Sequence, residues 1–164
     1  VVWSFWNRDI EQLGEETVSY EHAQALAEIH AMTFAHAWTD GDFLALLNNR
    51  NVSGLLLREP LSSGGRTVGF VLVRTAADEA EILTIAVHPK WQNYGVGRRL
   101  LNRIIERLHA DKIASLFLEV DENNKSAITL YKRLHFEQVA IRENYYTKTG
   151  GRKTNALVMR RENV

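Results

Sequence analysis

The chain has 164 residues, 20 basic against 20 acidic side chains, 45% hydrophobic and 24% charged residues, and no cysteine. One domain of this size buries a proper core, and the even charge balance leaves no global field for nucleic acid or an anionic membrane. The lack of cysteine excludes disulfides, thiolate metal sites and a cysteine nucleophile; no apolar stretch is long enough to span a bilayer, and the cytoplasm is the expected compartment.

Residues 1 to about 14 read as a tail with apolar anchors Trp3, Phe5 and Trp6, ahead of a single domain over residues 15–164. The apolar start is short, lacks a basic lead-in and breaks at Asn7-Arg8-Asp9, so no signal peptide is expected. A short strand near Glu16 to Ser19 leads to a helix predicted from about Tyr20 to Phe34, with Ala23, Leu26, Ala27, Ile29 and Phe34 on one face. Thr39 suits the N-cap of a second helix, with Asp42 reaching back three residues on. Leu55 to Leu57 and Thr67 to Arg74 read as strands joined by the turn-rich Glu59-Pro60-Leu61-Ser62-Ser63-Gly64-Gly65. Glu81 to Val87 is the next strand, ended by Pro89, which removes a ladder donor. A helix from about Gly95 to Ala110, a strand over Ser115 to Val120, and a helix capped by Asn124 and running to about His135 follow. Val139 to Tyr146 and Asn155 to Arg160 close the chain as strands. The order is mixed α/β, with a strand–helix–strand–helix unit at its centre.

Gln92-Asn93-Tyr94-Gly95-Val96-Gly97-Arg98-Arg99 is the most informative stretch. Two glycines let the backbone come close to a ligand, and the helix they open aims its free N–H groups and positive dipole end at the loop. With Arg98 and Arg99 beside them, these groups suit a pyrophosphate. A P-loop needs a Gly-Lys-Ser/Thr ending, and none is present. A dinucleotide fingerprint needs a third glycine where Leu100 stands; Glu119 lies about 20 residues downstream, where a ribose-binding acid is sought, but inside the run Leu116 to Val120. An ordinary glycine-containing connection is the remaining alternative.

Gln92-x-x-Gly95-x-Gly97 resembles the Gln/Arg-x-x-Gly-x-Gly/Ala loop of the GNAT superfamily of N-acetyltransferases, which cradles the pyrophosphate of coenzyme A. Leu116-Phe117-Leu118-Glu119-Val120, then Asn124, Ala127, Leu130-Tyr131 and Phe136, resembles the downstream pattern of the same superfamily. Ile85-Ala86-Val87-His88-Pro89, Asn144-Tyr145-Tyr146, and Phe34-Ala35-His36-Ala37-Trp38 followed by Phe43 are similar to its ribosomal-protein-alanine N-acetyltransferase (RimI-type) branch. The resemblance implies a mixed, mostly antiparallel sheet of about seven strands with about four helices, splayed at the strands Glu81–Val87 and Ser115–Val120. It implies acetyl-CoA as cosubstrate, held by Gln92, Asn93, Tyr94, Gly95, Val96, Gly97 and Arg98, by backbone groups of Ile85, Ala86 and Val87, and by Asn124 on the pantetheine arm. The implied acceptor is a protein N-terminus, of a ribosomal protein, with no nucleic acid or membrane partner and a monomer or weak dimer as the assembly. A small-molecule amine or aminoglycoside acceptor, or a non-catalytic coenzyme-binding module, are the alternatives.

Acetyl transfer to an amine needs a neutral amine, a fixed thioester and an acid for the departing thiolate. An α-amino group has a pKa near about 8, so a carboxylate of raised pKa suffices as base. Glu119 is the only acid in an otherwise apolar run, where desolvation would raise its pKa; strand alternation pointing it to solvent is the alternative. Tyr131 shares an apolar helical face with Ala127, Ile128 and Leu134 and reads equally as a core tyrosine; the resemblance makes its hydroxyl the general acid. Trp38, Tyr145 and Tyr146 are the candidates for lining the peptide cleft. The six histidines lack metal spacing, and no metal is expected. The chain departs from the family at His135, where glycine is usual, and at Asn155, where the RimI type tends to an acid just before the final strand.

Overall fold

The alternating and helical apolar patterns resolve, in a computed structural model describing residues 9–162, into seven strands and four α-helices among the described residues. In chain order these are β1 (Gly14–Thr17), α1 (Ala23–Thr33), α2 (Asp40–Leu47), β2 (Val52–Arg58), β3 (Thr67–Ala76), β4 (Glu79–Val87), α3 (Val96–Ala110), β5 (Ser115–Asp121), α4 (Lys125–Arg133), β6 (Glu137–Thr147) and β7 (Lys153–Glu162). The strands form one sheet in the order β1-β2-β3-β4-β5-β7-β6. β1/β2, β5/β7 and β6/β7 pair antiparallel, and β4/β5 pair parallel. The expected anchors Trp3, Phe5 and Trp6 lie outside the described residues.

The parallel register of β4 with β5 covers three pairs, Glu79↔Ser115, Ala80↔Leu116 and Glu81↔Phe117. β4 runs on to Val87 and β5 to Asp121.

Packing divides the chain into two compact units, one comprising residues up to Leu72 with Thr84–Ile104, the other Val73–Leu83 with Ile105 onward. In the first, Leu26 and Ile29 of α1, Phe43 of α2, Leu55, Leu56 and Leu57 of β2 and Val68, Phe70 and Val71 of β3 are buried. Each such side chain contributes roughly 1.5–3 kcal/mol by leaving water. The first turn of the expected helix is a 3₁₀ turn over Tyr20–His22, because the His22 ring turns back to accept the Ser19 N–H at 2.9 Å. Ahead of β1, Asp9 caps a 3₁₀ turn over Ile10–Gln12 and Leu13 is buried. Arg58 donates to Glu16 at 2.7 Å and to the Gly65 carbonyl, and it holds the Glu16 carboxyl below its usual range.

The second unit is built on β5, where Leu116, Leu118 and Val120 are buried and alternate with Phe117, Glu119 and Asp121 on the other face. Ile128 and Tyr131 of α4, Phe136, and Ala156 and Met159 of β7 complete its core. β7 begins two residues earlier than expected, so Asn155 is inside the final strand and not ahead of it.

Candidate active site

In the first unit, β4 ends where the His88 N–H closes onto the Val68 carbonyl at 2.8 Å, and Pro89–Trp91 form a 3₁₀ turn. The Gln92 side-chain amide reaches back to the Val87 carbonyl at 3.1 Å. The chain then passes through two left-handed residues, Asn93 (φ 65°) and Gly95 (φ 88°), the first a type that tolerates the conformation and the second one that adopts it freely. The first helical bond of α3 runs from the Arg99 N–H to the Gly95 carbonyl at 3.0 Å. The N–H groups of Val96, Gly97 and Arg98 therefore open onto the loop without intrahelical acceptors. Gly69 allows this start to press on the sheet: a Cβ there would stand 3.0 Å from Val96 Cγ1 and 3.1 Å from the Ala86 carbonyl oxygen.

Side chains contribute less to this loop than its sequence suggests. Val96 is buried and serves as an anchor, while Gln92, Asn93, Tyr94 and Arg98 are exposed. Arg99 donates to the carbonyls of Ile10 and Leu13, and Arg103 pairs with Glu15 at 2.8 Å. Arg99 is engaged with the segment ahead of β1 and Arg103 with β1 itself, so the added positive charge within the loop is Arg98. Ile85 and Val87 are half-buried and Ala86 is buried, leaving backbone groups as what they present. Thr84, on the same strand, keeps a buried hydroxyl without a hydrogen-bond partner among the described residues. Successive free N–H groups at a helix start, a glycine turn and one arginine fit the pyrophosphate of coenzyme A.

In the second unit, Glu119 projects from β5 with its side chain 31% exposed. The apolar enclosure expected around it is absent: alternation sends Leu118 and Val120 to the core and Glu119 to the other face, where Arg142 Nη1 donates to Oε1 at 2.6 Å. The Arg142 guanidinium lies 4.0 Å over the Tyr145 ring, which meets Tyr146 edge to face at 5.0 Å. Burial pushes the Tyr146 phenol up to about 12, helped by the charges of Glu119 and Asp121 and by the neighbouring Tyr145 and Tyr131. Tyr146 is thus the common neighbour of Glu119 and Tyr131.

Tyr131 is held by the end of its own helix. The His135 N–H bonds to the Lys132 carbonyl and the Phe136 N–H to the Tyr131 carbonyl, both at 3.0 Å, which is a Schellman cap. Its apolar contact is the Tyr131 and Phe136 ring pair, with centroids 5.8 Å apart. His135 sits at the left-handed position of that cap with φ 66°, as its place in the pattern led one to expect. Burial raises the Tyr131 hydroxyl to about 12, so it keeps its proton throughout the neutral range.

Asn124 caps α4, its Oδ1 accepting from the Ala127 N–H at 3.2 Å. Asn155 binds Glu122 through its backbone N–H (3.1 Å) and side-chain amide (3.3 Å), and accepts the Asn144 N–H at 3.0 Å. Burial alone would raise the Asp121 carboxyl, but hydrogen bonds from Lys148, the Asn123 N–H and the Thr154 hydroxyl outweigh it and hold the group below its usual range. Trp38 belongs to the first unit: its N–H donates to His30 Nδ1 at 3.0 Å and its ring stacks on His30 at 4.9 Å. His30 is itself buried, which lowers its pKa and keeps the ring a neutral acceptor. Among the described residues no group of three or more His, Asp or Glu is placed to hold a metal ion, and no helix is long and apolar enough to cross a membrane.

The structure brings Glu119, Tyr131, Tyr145 and Tyr146 into one neighbourhood and keeps Gln92 to Arg98 as a contiguous loop. Sequence reasoning missed Arg142, Asp121 and His30. Arg142 stands three residues before Tyr145, a visible cue, but its partner is set by strand register. His30 is four residues ahead of Phe34 on the same face of α1, a spacing that could have flagged it.

A profile described as "Acetyltransferase (GNAT) family" matches residues 23–136. The chain is 36% identical over 143 residues to a "[Ribosomal protein bS18]-alanine N-acetyltransferase" of Escherichia coli (strain K12), covering 86% of this chain and 93% of the relative. It is 34% identical over 149 residues to "N-alpha-acetyltransferase RimI" of Mycobacterium tuberculosis, covering 85% and 86%. The crystal structure of the ribosomal-protein-S18-alanine N-acetyltransferase from Escherichia coli superposes with a TM-score of 0.84 at 29% identity, over 92% of this chain and 93% of that one.

Proposed function

Given that this chain belongs to the GNAT acetyltransferase family, we propose that it acetylates the N-terminal α-amino group of a protein, an alanine-terminated ribosomal protein of the bS18 kind, in the cytoplasm. The observation that carries the chemistry is the grouping of an exposed carboxylate, Glu119, and a buried protonated phenol, Tyr131, about the shared neighbour Tyr146. The acceptor is carried by the relatives, whose named substrate is that N-terminus.

Acetyl-CoA supplies, when bound, an acetyl group already activated as a thioester. The loop N–H groups of Val96, Gly97 and Arg98 would hold its pyrophosphate, and the free backbone groups of Ile85 to Val87 its pantetheine and acetyl oxygen. Glu119 takes a proton from the acceptor ammonium, freeing the nitrogen lone pair for the new C–N bond. Tyr131 gives its hydroxyl proton to the sulfur as the C–S bond breaks, so thiolate never has to leave uncompensated, and the second proton that the nitrogen loses in becoming an amide restores the Tyr131 hydroxyl. Tyr145 and Tyr146 line the path of the peptide. The transfer is direct: the acceptor nitrogen itself is the nucleophile, and Glu119 and Tyr131 serve as its proton acceptor and donor.

An acceptor screen tests the reading. N-terminal peptides of ribosomal proteins, polyamines and aminoglycosides are incubated separately with enzyme and acetyl-CoA, and product is detected by mass. Alanine-terminated peptides are expected to react fastest. Acetylation confined to polyamines or aminoglycosides overturns the acceptor, and turnover with none of them leaves a coenzyme-binding module.

A further inference from the structure

We propose that Arg142 is a positioning residue for the base: it fixes the Glu119 carboxylate through Oε1 and leaves Oε2 as the oxygen that takes the amine proton. The inference rests on Glu119 acting as the base.

The geometry has three parts. Arg142 Nη1 donates to Glu119 Oε1 at 2.6 Å, and no donor is bound to Oε2 among the described residues. A carboxylate held by one oxygen cannot spin about its terminal torsion, which is otherwise broad. The guanidinium is in turn fixed from its other side by the Tyr145 ring at 4.0 Å. A planar cation on an aromatic face with one N–H directed at a carboxylate is an arrangement arginine supports and lysine does not reproduce.

Strand register explains how Arg142 reaches Glu119. Val158 of β7 faces Glu119 on one side and Ala140 on the other, so Arg142 is one same-face step along β6 from the row of Glu119. Beyond it the register breaks: between Arg142↔Ala156 and Tyr146↔Thr154, β6 advances four residues while β7 advances two. The bulge brings Tyr145 over the guanidinium. Asn144 sits in it at φ 55°, and its N–H is pinned to Asn155 Oδ1, which Glu122 holds in place. The other ionisable groups about Glu119 are Asp121 on β5, itself paired with Lys148, Tyr145 and Tyr146 on β6, and Tyr131 on α4; β7 presents Val158.

In the proton step the acceptor's N–H bond breaks, its electron pair stays on nitrogen, and the proton goes to Glu119 Oε2. Arg142 keeps all its protons and stabilises the carboxylate before the transfer. Without Arg142 the carboxylate loses both its orientation and a neighbouring cation.

The test is the turnover, KM and acetyl-CoA affinity of Arg142→Met, Arg142→Lys and Glu119→Gln, alone and combined. Arg142→Met is expected to lose about tenfold or more in kcat with unchanged acetyl-CoA affinity. Arg142→Lys recovers only part of that rate. In the Glu119→Gln background, Arg142→Met changes kcat less than twofold, because its effect passes through Glu119. An Arg142→Met enzyme with the wild-type rate overturns the proposal, as does an equal loss with and without Glu119. A fully active Glu119→Gln enzyme sinks the base itself, a separate failure. Thermal melts of each variant check the fold, and a loss of rate that tracks unfolding makes Arg142 structural and also overturns it.

Discussion

The glycine loop of the first unit and the Glu119 cluster of the second are built by opposite means. The loop works with backbone: N–H groups at the start of α3, two left-handed residues and a single exposed arginine. Its parts are consecutive in sequence. The cluster works with side chains drawn from β5, α4 and β6, and each is aimed by something elsewhere. A Schellman cap aims Tyr131, a guanidinium aims Glu119, and a bulge aims Tyr145 and Tyr146. A backbone site tolerates many side chains but no bulk at its glycines. A side-chain site tolerates no change of functional group but much change around it.

The largest effect that sharpens this contrast is Glu119→Gln, which keeps shape and removes the proposed base. Turnover should fall about 10²-fold or more with coenzyme affinity unaltered, and the acid limb of the rate profile should disappear. Steady-state kinetics across pH, with titration calorimetry for the coenzyme, read both; a variant that keeps rate and limb makes Glu119 a strand residue only. Tyr131→Phe comes next, with a loss of roughly 10²-fold in turnover and little change in melting temperature, since it removes one hydroxyl. A destabilised but fully active variant would remove Tyr131 from the chemistry. Because burial lifts this hydroxyl to about 12, deprotonation of the acid cannot depress the wild-type rate near the ordinary tyrosine value of 10.0. A tyrosine-like fall centred at or below that value would contradict its assignment.

On the backbone side, Gly97→Val should weaken acetyl-CoA binding about tenfold or more, roughly 1.4 kcal/mol, with the fold intact by circular dichroism. Unchanged affinity in calorimetry would dissociate the loop from the coenzyme. The smallest effect is on stability alone. His135→Gly relieves a left-handed non-glycine residue at the cap of α4 and should stabilise the protein by up to about 1 kcal/mol with activity unchanged, as chemical denaturation would show. No gain would mean that the His135 side chain compensates its own backbone.

The same contrast explains what could be read from the sequence. Strand and helix order came through because apolar periodicity is local, as in Leu116, Leu118 and Val120 of β5. The left-handed His135 was legible because the family usually has glycine at that position, the residue a left-handed helix cap favours. Two readings of Glu119 were open, desolvation in an apolar run and alternation to the other face; β5 buries one face and pairs the other with Arg142. Arg142 reaches Glu119 through the pairing of β6 and β7, and Tyr145 is placed by the extra residues that follow in β6, neither of which leaves a trace in periodicity. Arg98 and Arg99 looked alike in the loop, but only tertiary structure assigns Arg99 to the carbonyls of Ile10 and Leu13.

β6 closes the sheet on one side and is exposed at every position but Tyr146, with Val139 and Ile141 each showing more than half their surface to water. An exposed edge strand eleven residues long is the kind of surface on which other chains nucleate β-aggregates. The two register shifts in β6 break that border into short pieces with no continuous row of evenly spaced donors and acceptors. The irregularity that turns Tyr145 and Tyr146 toward Glu119 therefore also guards this edge, and straightening β6 by deleting its extra residues would open it to pairing with other chains.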